Sequence, residues 1–260
     1  MNKKQYIILA VLCSICLIIA YQTYKYYSAP QQRKAYLTHM YPDTDTINIA
    51  FIGDSWAFLH KDHSCKIAEY LENQIHKPVR VYSFGINGLT SKEIYESMYD
   101  NEELRRFMQQ KQFDYCYISA GINDSYKKMS TSYYKKSIDY IIQLLLKNHI
   151  RPIIQDIPDY DICKAYNRQK YPKKLLRNIS SYINDCPLDC KDLYRNSLKA
   201  LIIEKNYKDK VSVLQYQVWN NNYQQDQQEL YLPDGMHLNE CGYSALDRAI
   251  ATEIAKLILK

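Results

Sequence analysis

Nowhere in these 260 residues does lysine or arginine gather into a dense block beside aromatic side chains. The 34 basic residues exceed the 28 acidic ones by six, but the excess is spread along the chain. Nucleic-acid binders concentrate such charge on one patch or stripe, so the reading is a mildly basic, solvated surface and no nucleic-acid partner. Cysteine is sparse too, with eight in the chain, which excludes a small disulfide scaffold. Two of them, Cys13 and Cys16, lie in an apolar N-terminal run, leaving Cys65, Cys116, Cys163, Cys186, Cys190 and Cys241. Cys186 and Cys190 flank Pro-Leu-Asp and are the nearest candidates to pair. Cys116 falls in an apolar strand pattern and reads as a buried thiol. There is no internal repeat and no second linker after about residue 47. The rest of the chain is therefore long enough for one domain with a sizeable core.

What the chain does have in quantity is tyrosine, 27 in all. A ring with a polar tip sits comfortably half-exposed, so the hydrophobic fraction of 47% overstates the core. The other abundance is local. Tyr6 to Tyr21 runs sixteen residues without a charge. At 1.5 Å per residue that covers about 24 Å, a little short of a hydrocarbon layer of ~30 Å. The flanking YQTYKYY can extend it, because tyrosine suits the membrane interface. Signal-peptide cores are shorter and end at a small-residue cleavage site, and no such site follows here. Residues 1–26 are therefore expected to form an uncleaved transmembrane anchor rather than a removed signal. Lysines lie on both sides of the run, so charge alone does not orient it. Residues 27–46 are polar with two prolines and read as a tether, and 47–260 as the globular domain.

Within that domain short apolar runs recur: INIAFIG (47–53), VRVYSFG (79–85), DYCYISAG (114–121), RPIIQDIP (151–158) and VSVLQYQVW (211–219). Stretches with helical spacing separate them, at 65–75, 91–99, 131–149 and 190–205, with a last one at 244–260. Alternating strand and helix predicts an α/β domain whose mostly parallel sheet is covered on both faces. Ligands of such sheets bind beyond the carboxyl ends of the strands. Four short motifs stand at that edge: Gly53-Asp54-Ser55, FGINGLTS with Gly85 and Gly88, Gly121-Ile122-Asn123-Asp124, and LPDGMHLN before the last helix.

Taken singly, each motif is a turn or a helix cap, and Ser55 is first of all a residue that satisfies free N–H groups. Taken together they supply the parts of an acyl transfer site. Ser55 is a weak nucleophile until a base takes its proton. His237 is that base, and Asp234, three residues earlier, is placed to hold its Nδ1–H. The N–H groups of Ser55 and Gly88 and the side-chain amide of Asn123 are candidate oxyanion donors. No side chain at position 88 obstructs a substrate's approach to the backbone.

Through these motifs the sequence resembles the SGNH/GDSL hydrolases, over about residues 47–245, although 150–230 carries no family motif. Trp56 stands at the fourth letter of GDSL. The resemblance implies a flavodoxin-like three-layer α/β/α domain and a serine esterase working without metal or cofactor, with Ser55 acylated and Ser55, Gly88 and Asn123 forming the oxyanion hole. The G-x-S-x-G elbow of the α/β-hydrolases is absent.

HKDHSC (60–65) invites a metal reading, but zinc sites draw ligands from a second element and no partner pair stands out. A polar loop is the better reading, placed where it could line the cleft. QVWNNNYQQDQQELYLPD (217–234) mixes aromatic and amide side chains, which suits a sugar ring better than a long acyl chain. The Tyr-Lys runs at 126–128 and 133–136 are expected on exposed helix faces. The sequence thus predicts a membrane-tethered ester hydrolase that takes small acyl groups, acetyl foremost, from a carbohydrate or cell-envelope glycan or another small ester, with its catalytic domain outside the cytoplasm. The same residues would serve an O-acyltransferase. A non-catalytic glycan-binding or assembly protein on the same fold is the third possibility.

Overall fold

The computed structural model describes residues 3–36, 45–60, 66–110 and 112–259. Five strands form one sheet: β1 Ile47–Gly53, β2 Val79–Gly85, β3 Tyr115–Ser119, β4 Arg151–Gln155 and β5 Ser212–Leu214. Their order is β2-β1-β3-β4-β5 and every pairing is parallel. This is the doubly wound flavodoxin order, which reverses direction at β1 and opens a crevice beyond its carboxyl end. The two best-defined apolar runs are strands over the predicted bounds. The fifth is shorter, because Tyr216–Val218 turns into a single 3₁₀ turn.

Twelve helices accompany the strands among the described residues: α1 Lys3–Tyr27, α2 Ser55–His60, α3 Ile67–Ile75, α4 Ser91–Asp100, α5 Glu102–Gln110, α6 Ile122–Lys127, α7 Thr131–Lys147, α8 Ile162–Asn167, α9 Lys173–Ile183, α10 Lys191–Glu204, α11 Tyr223–Asp226 and α12 Glu240–Ile258. α2, α3 and α12 cover one face of the sheet, and α4, α7 and α10 the other. Local chemistry starts several of them. Thr90 and Glu93 close a reciprocal capping box on α4, while Ser130 and Asn239 cap α7 and α12. The core beneath α12 includes Phe51, Tyr243, Leu246 and Ile250, each no more than 2% exposed. Burying such side chains contributes roughly 1.5–3 kcal/mol apiece.

Two glycines let the layers close on the strand ends. A Cβ on Gly85 would lie 2.0 Å from the backbone nitrogen of Phe58 in α2, and one on Gly53 would lie 2.3 Å from the carbonyl oxygen of Ser119 in β3. Here the backbone of one element takes the space that any side chain on the next would need.

Two sequence expectations are corrected. The Tyr-Lys runs are not exposed faces, since Lys128, Tyr133 and Tyr134 are no more than 1% exposed. The buried Lys128 ammonium donates to the carbonyls of Pro187 and Leu188 and approaches Cys190 Sγ at 3.3 Å. Cys186 and Cys190 are buried free thiols, as is Cys116.

α1 carries the apolar run. Its stretch Gln5–Tyr27 is long and apolar enough to cross a membrane, and its most apolar 18-residue window is unburied. At 1.5 Å per residue those 23 residues reach about 35 Å. Beyond it the chain does not leave the domain. Pro30 is buried, Lys92 in α4 donates to the carbonyls of Lys25 and Ser28, and Arg33 forms a two-pronged pair with Asp100 at 2.5 and 2.8 Å. Residues 37–44, within the stretch expected to be a tether, lie outside the described residues, as do 61–65 of HKDHSC.

Candidate active site

The register brings the ends of three strands level, Gly53 beside both Gly85 and Ser119. The chain leaves β1 and enters α2 within one residue, which puts Ser55 at the first turn of a helix. Capping that turn falls to its neighbour. The Asp54 carbonyl accepts Phe58 N–H at 3.0 Å, and its Oδ1 accepts Trp56 N–H at 3.0 Å. Ser55 Oγ is thereby free for another partner, His237 Nε2 at 3.0 Å.

His237 belongs to a tight loop closed by the antiparallel bridge of Tyr231 and Leu238, with Leu232 N–H donating to the His237 carbonyl. Asp234 organises it. Its Oδ1 accepts the N–H groups of Met236 and His237, each at 2.9 Å, and its Oδ2 lies 2.5 Å from His237 Nδ1. Burial would raise the Asp234 pKa, but these donors outweigh it and hold the carboxyl well below the usual range. An ionised Asp234 accepts from Nδ1–H, so Nε2 is the lone-pair nitrogen and accepts a hydrogen bond from the Ser55 hydroxyl. The aspartate–imidazole–hydroxyl sequence predicted across 182 residues of chain is thus one hydrogen-bonded line.

Gly88 follows β2 with φ of 77°, and a Cβ there would meet nothing within 4 Å. Its backbone faces open space in a conformation that L side chains rarely adopt. Asn123 lies in the first turn of α6 and donates through Nδ2 to Asp54 Oδ2 at 3.1 Å. An amide has two N–H bonds, and one of them anchors this side chain. Asp54 had no part in the sequence reading. Fully buried, it is pushed up to about 6 by desolvation, against hydrogen bonds from Trp56, Ser119 and Asn123 and the nearby charge of His237. An acid directly before Ser55, at a strand end where it cannot reach water, was the signal for it. Arg168 was also missed. It donates to the Asp234 carbonyl at 3.2 Å, just past α8.

His60 does not line the cleft. It is fully buried under α12, with Nε2 2.6 Å from Asp247 Oδ1. Among the described residues no cluster of three or more His, Cys, Asp or Glu could hold a metal ion. The three asparagines of the 217–234 loop have partners within the domain. Asn220 binds Asp159 N–H and Asp226, Asn221 binds Asp226, and Asn222 caps α11. Trp219 packs edge-on against Trp56 at 5.8 Å. The glutamines of the loop, 217, 224, 225, 227 and 228, are exposed.

A serine hydrogen-bonded to an aspartate-backed imidazole, at the carboxyl edge of a parallel sheet, defines a serine hydrolase arrangement. Comparison with known proteins gives the family: the model of the GDSL-like lipase/acylhydrolases matches residues 48–250, and the chain belongs to that family of SGNH-type carboxylic ester hydrolases. Solved structures share the fold at low identity. A lipase/acylhydrolase from Enterococcus faecalis is 15% identical, with TM-score 0.53, over 81% of this chain and 96% of its own. The acetyl xylan esterase AlAXEase is 16% identical, with TM-score 0.52, over 82% and 100%. Axe2, an acetylxylan esterase from Geobacillus stearothermophilus, is 17% identical, with TM-score 0.50, over 80% and 94%. No curated protein matches the sequence.

Proposed function

We propose that this chain is a membrane-tethered serine esterase that removes small acyl groups, acetyl foremost, from a carbohydrate or cell-envelope glycan outside the cytoplasm. The observation that carries the chemistry is the line Asp234–His237–Ser55, with contacts of 2.5 and 3.0 Å. In this reading Ser55 Oγ attacks the ester carbonyl while His237 Nε2 takes its proton. The tetrahedral oxyanion is received by the N–H groups of Ser55 and Gly88 and the second N–H of Asn123. His237 then protonates the departing alcohol, leaving an acyl-Ser55 that water hydrolyses by the same steps in reverse. Asp234 steadies the imidazolium in each half, and its depressed pKa keeps it ionised as that charge forms.

The open space at Gly88 supports close approach of an ester to the backbone. The acetyl and glycan parts draw on the sequence reading and on the acetyl xylan esterases among proteins of the same fold. The tether rests on α1. The test uses the full chain in lipid nanodiscs with an activated acetyl ester and with acetylated glycans. Ser55→Ala and His237→Ala should each lower kcat by at least about 10³-fold, because such groups act as a unit. Unchanged rates in both variants would defeat the assignment. Acetyl transfer to an added sugar in place of acetate release would make the enzyme an acyltransferase.

A further inference from the structure

The exposed apolar side chains of the domain include a concentrated stripe on one helix. On α9, Leu175, Leu176, Ile179, Tyr182 and Ile183 are 49%, 55%, 45%, 90% and 68% exposed. With 3.6 residues per turn, those five fall within an arc of about 120°. Arg177 and Ser180, on the other side, are 4% and 1% exposed and face the protein. Arg177 lies over the rings of Tyr126 and Tyr166 at 4.3 and 4.8 Å. The helix is therefore seated by its polar side and turns its apolar side outward. Single exposed leucines are common, but a continuous stripe of this kind marks an interaction surface.

The position of α1 says what covers it. Tyr27, the last residue of the apolar helix, meets Ser180 Oγ through its hydroxyl at 2.5 Å. Leu176 and Ile183, one turn to either side of Ser180, form the near edge of the stripe. The end of the span and the stripe are thus neighbours. The flanking charge fits the same partner: between Asp161 and Asp185, apart from the inward-facing Arg177, there are five basic residues, Lys164, Arg168, Lys170, Lys173 and Lys174, and no acidic one. Apolar faces with basic flanks are the pattern of helices that lie in the plane of an anionic membrane surface.

We infer that α9 is a lipid-binding helix, lying in the headgroup–acyl boundary of the same bilayer that α1 crosses and seating the domain on it. The inference rests on the reading of α1 as a retained membrane span. It also sets where the candidate active site faces. α8, which leads into α9, touches the loop of Asp234 and His237 at both its ends, through Asp161 N–H on the Gly235 carbonyl at 2.9 Å and Arg168 on the Asp234 carbonyl at 3.2 Å. Esters presented at the lipid surface would therefore arrive at the flank that carries His237.

The test is tryptophan quenching in the full chain, reconstituted in nanodiscs of phosphatidylcholine and phosphatidylglycerol with or without bromine on the acyl chains. The natural Trp56 and Trp219 are buried and supply the background. Ile179→Trp and Ile183→Trp report on the stripe, Ile15→Trp on α1, and Gln74→Trp on α3 across the sheet. Activity on a water-soluble acetyl ester checks that each variant folds. Brominated lipid should quench the added fluorescence of both stripe tryptophans and of the α1 tryptophan at least about twofold, since in-plane helices sink to the acyl boundary, and leave Gln74→Trp unchanged. With the α1 tryptophan quenched, stripe tryptophans that respond to acrylamide and not to bromine would face water and overturn the inference. Stripe tryptophans shielded from both quenchers would be covered by protein and overturn it equally. An unquenched α1 tryptophan would remove the span itself and the inference with it.

Discussion

Two sets of serine, histidine and aspartate lie in this molecule, and one short helix contributes to both. α2 begins with Ser55 and ends with His60. Ser55 meets His237 and Asp234, while His60 meets Asp247 at 2.6 Å and Ser83 at 3.0 Å. The residue types agree and the surroundings do not. His237 and Asp234 have side chains 24% and 23% exposed, whereas those of His60 and Asp247 are 0% and 1% exposed. Ser55 opens a helix beyond a strand end, with Gly88 and Asn123 at the neighbouring ends. Ser83 sits within β2, paired in register with Phe51. The second imidazole is also turned about, with Nε2 toward the acid and its ring against Phe51 at 4.4 Å. A hydroxyl, an imidazole and a carboxylate are thus proposed as a reaction site where they are part-exposed, and make a strut where they are buried.

That contrast is open to attack by substitution. Ser55→Ala should abolish nearly all turnover while leaving Tm close to that of the parent, a kinetic loss of about 4 kcal/mol or more given 1.36 kcal/mol per tenfold. His60→Ala should do the reverse. It strands Asp247 inside the protein, and breaking a buried pair costs about 3–5 kcal/mol. Chemical denaturation would show the loss, with kcat of the remaining folded enzyme within severalfold of the parent. If His60→Ala instead left stability intact and removed turnover, the two sets would have to exchange roles. Asn123→Ala sharpens the first set by removing one oxyanion donor, for a loss of about 10²–10³ in kcat. KM should change far less, because the donor acts on the transition state.

Ser83→Ala tests the strut at its weaker joint and should cost roughly 0.5–1.5 kcal/mol, the net worth of one hydrogen bond. A pH-dependent effect concerns Asp124, next to Asn123. Burial pushes its carboxyl up to about 7, against donation from Ser91 N–H at 2.8 Å and Ser91 Oγ at 2.5 Å. Its folded pKa is raised, so from about 4 to about 7 the folded state holds the extra proton, and stability falls as pH rises through that window. Asp54, raised to about 6, acts in the same direction. Tm measured at pH 5 and pH 7 should therefore decline toward pH 7, and Asp124→Asn should flatten the decline. An unchanged slope in the variant would assign the proton elsewhere.

The strand ends were legible because each is punctuated: an apolar run stops at Gly53, Gly85 or Gly121, and hydroxyl, amide or imidazole groups follow. The first set could be read for the same reason, since every member stands in a short motif at a place the sheet makes significant. The second set could not. His60 and Asp247 are separated by 187 positions, and neither stands at a strand end. HKDHSC looks polar in sequence because nothing local records that α12 folds over His60. Local polarity likewise misplaced Lys128, whose charge is met by carbonyls 59 and 60 residues away. The amides of 220–222 pattern like a binding loop, but the Asp159 N–H, the Asp226 carboxylate and the Gln225 N–H claim them. α9 escaped notice because its apolar face has no partner in the domain to give it meaning.

The contact of Gly85 with the backbone of α2 reaches further than packing. The hydroxyl of Ser55 rides on a helix whose distance from the sheet is fixed by bare backbone against bare backbone, with no side chain in between to yield. One methyl group at position 85 would lift that helix and carry the Ser55 hydroxyl, the proposed nucleophile, away from His237. Damage of that sort would pass every inspection of the reacting groups themselves, for all of them would still be present and each would merely stand in the wrong place.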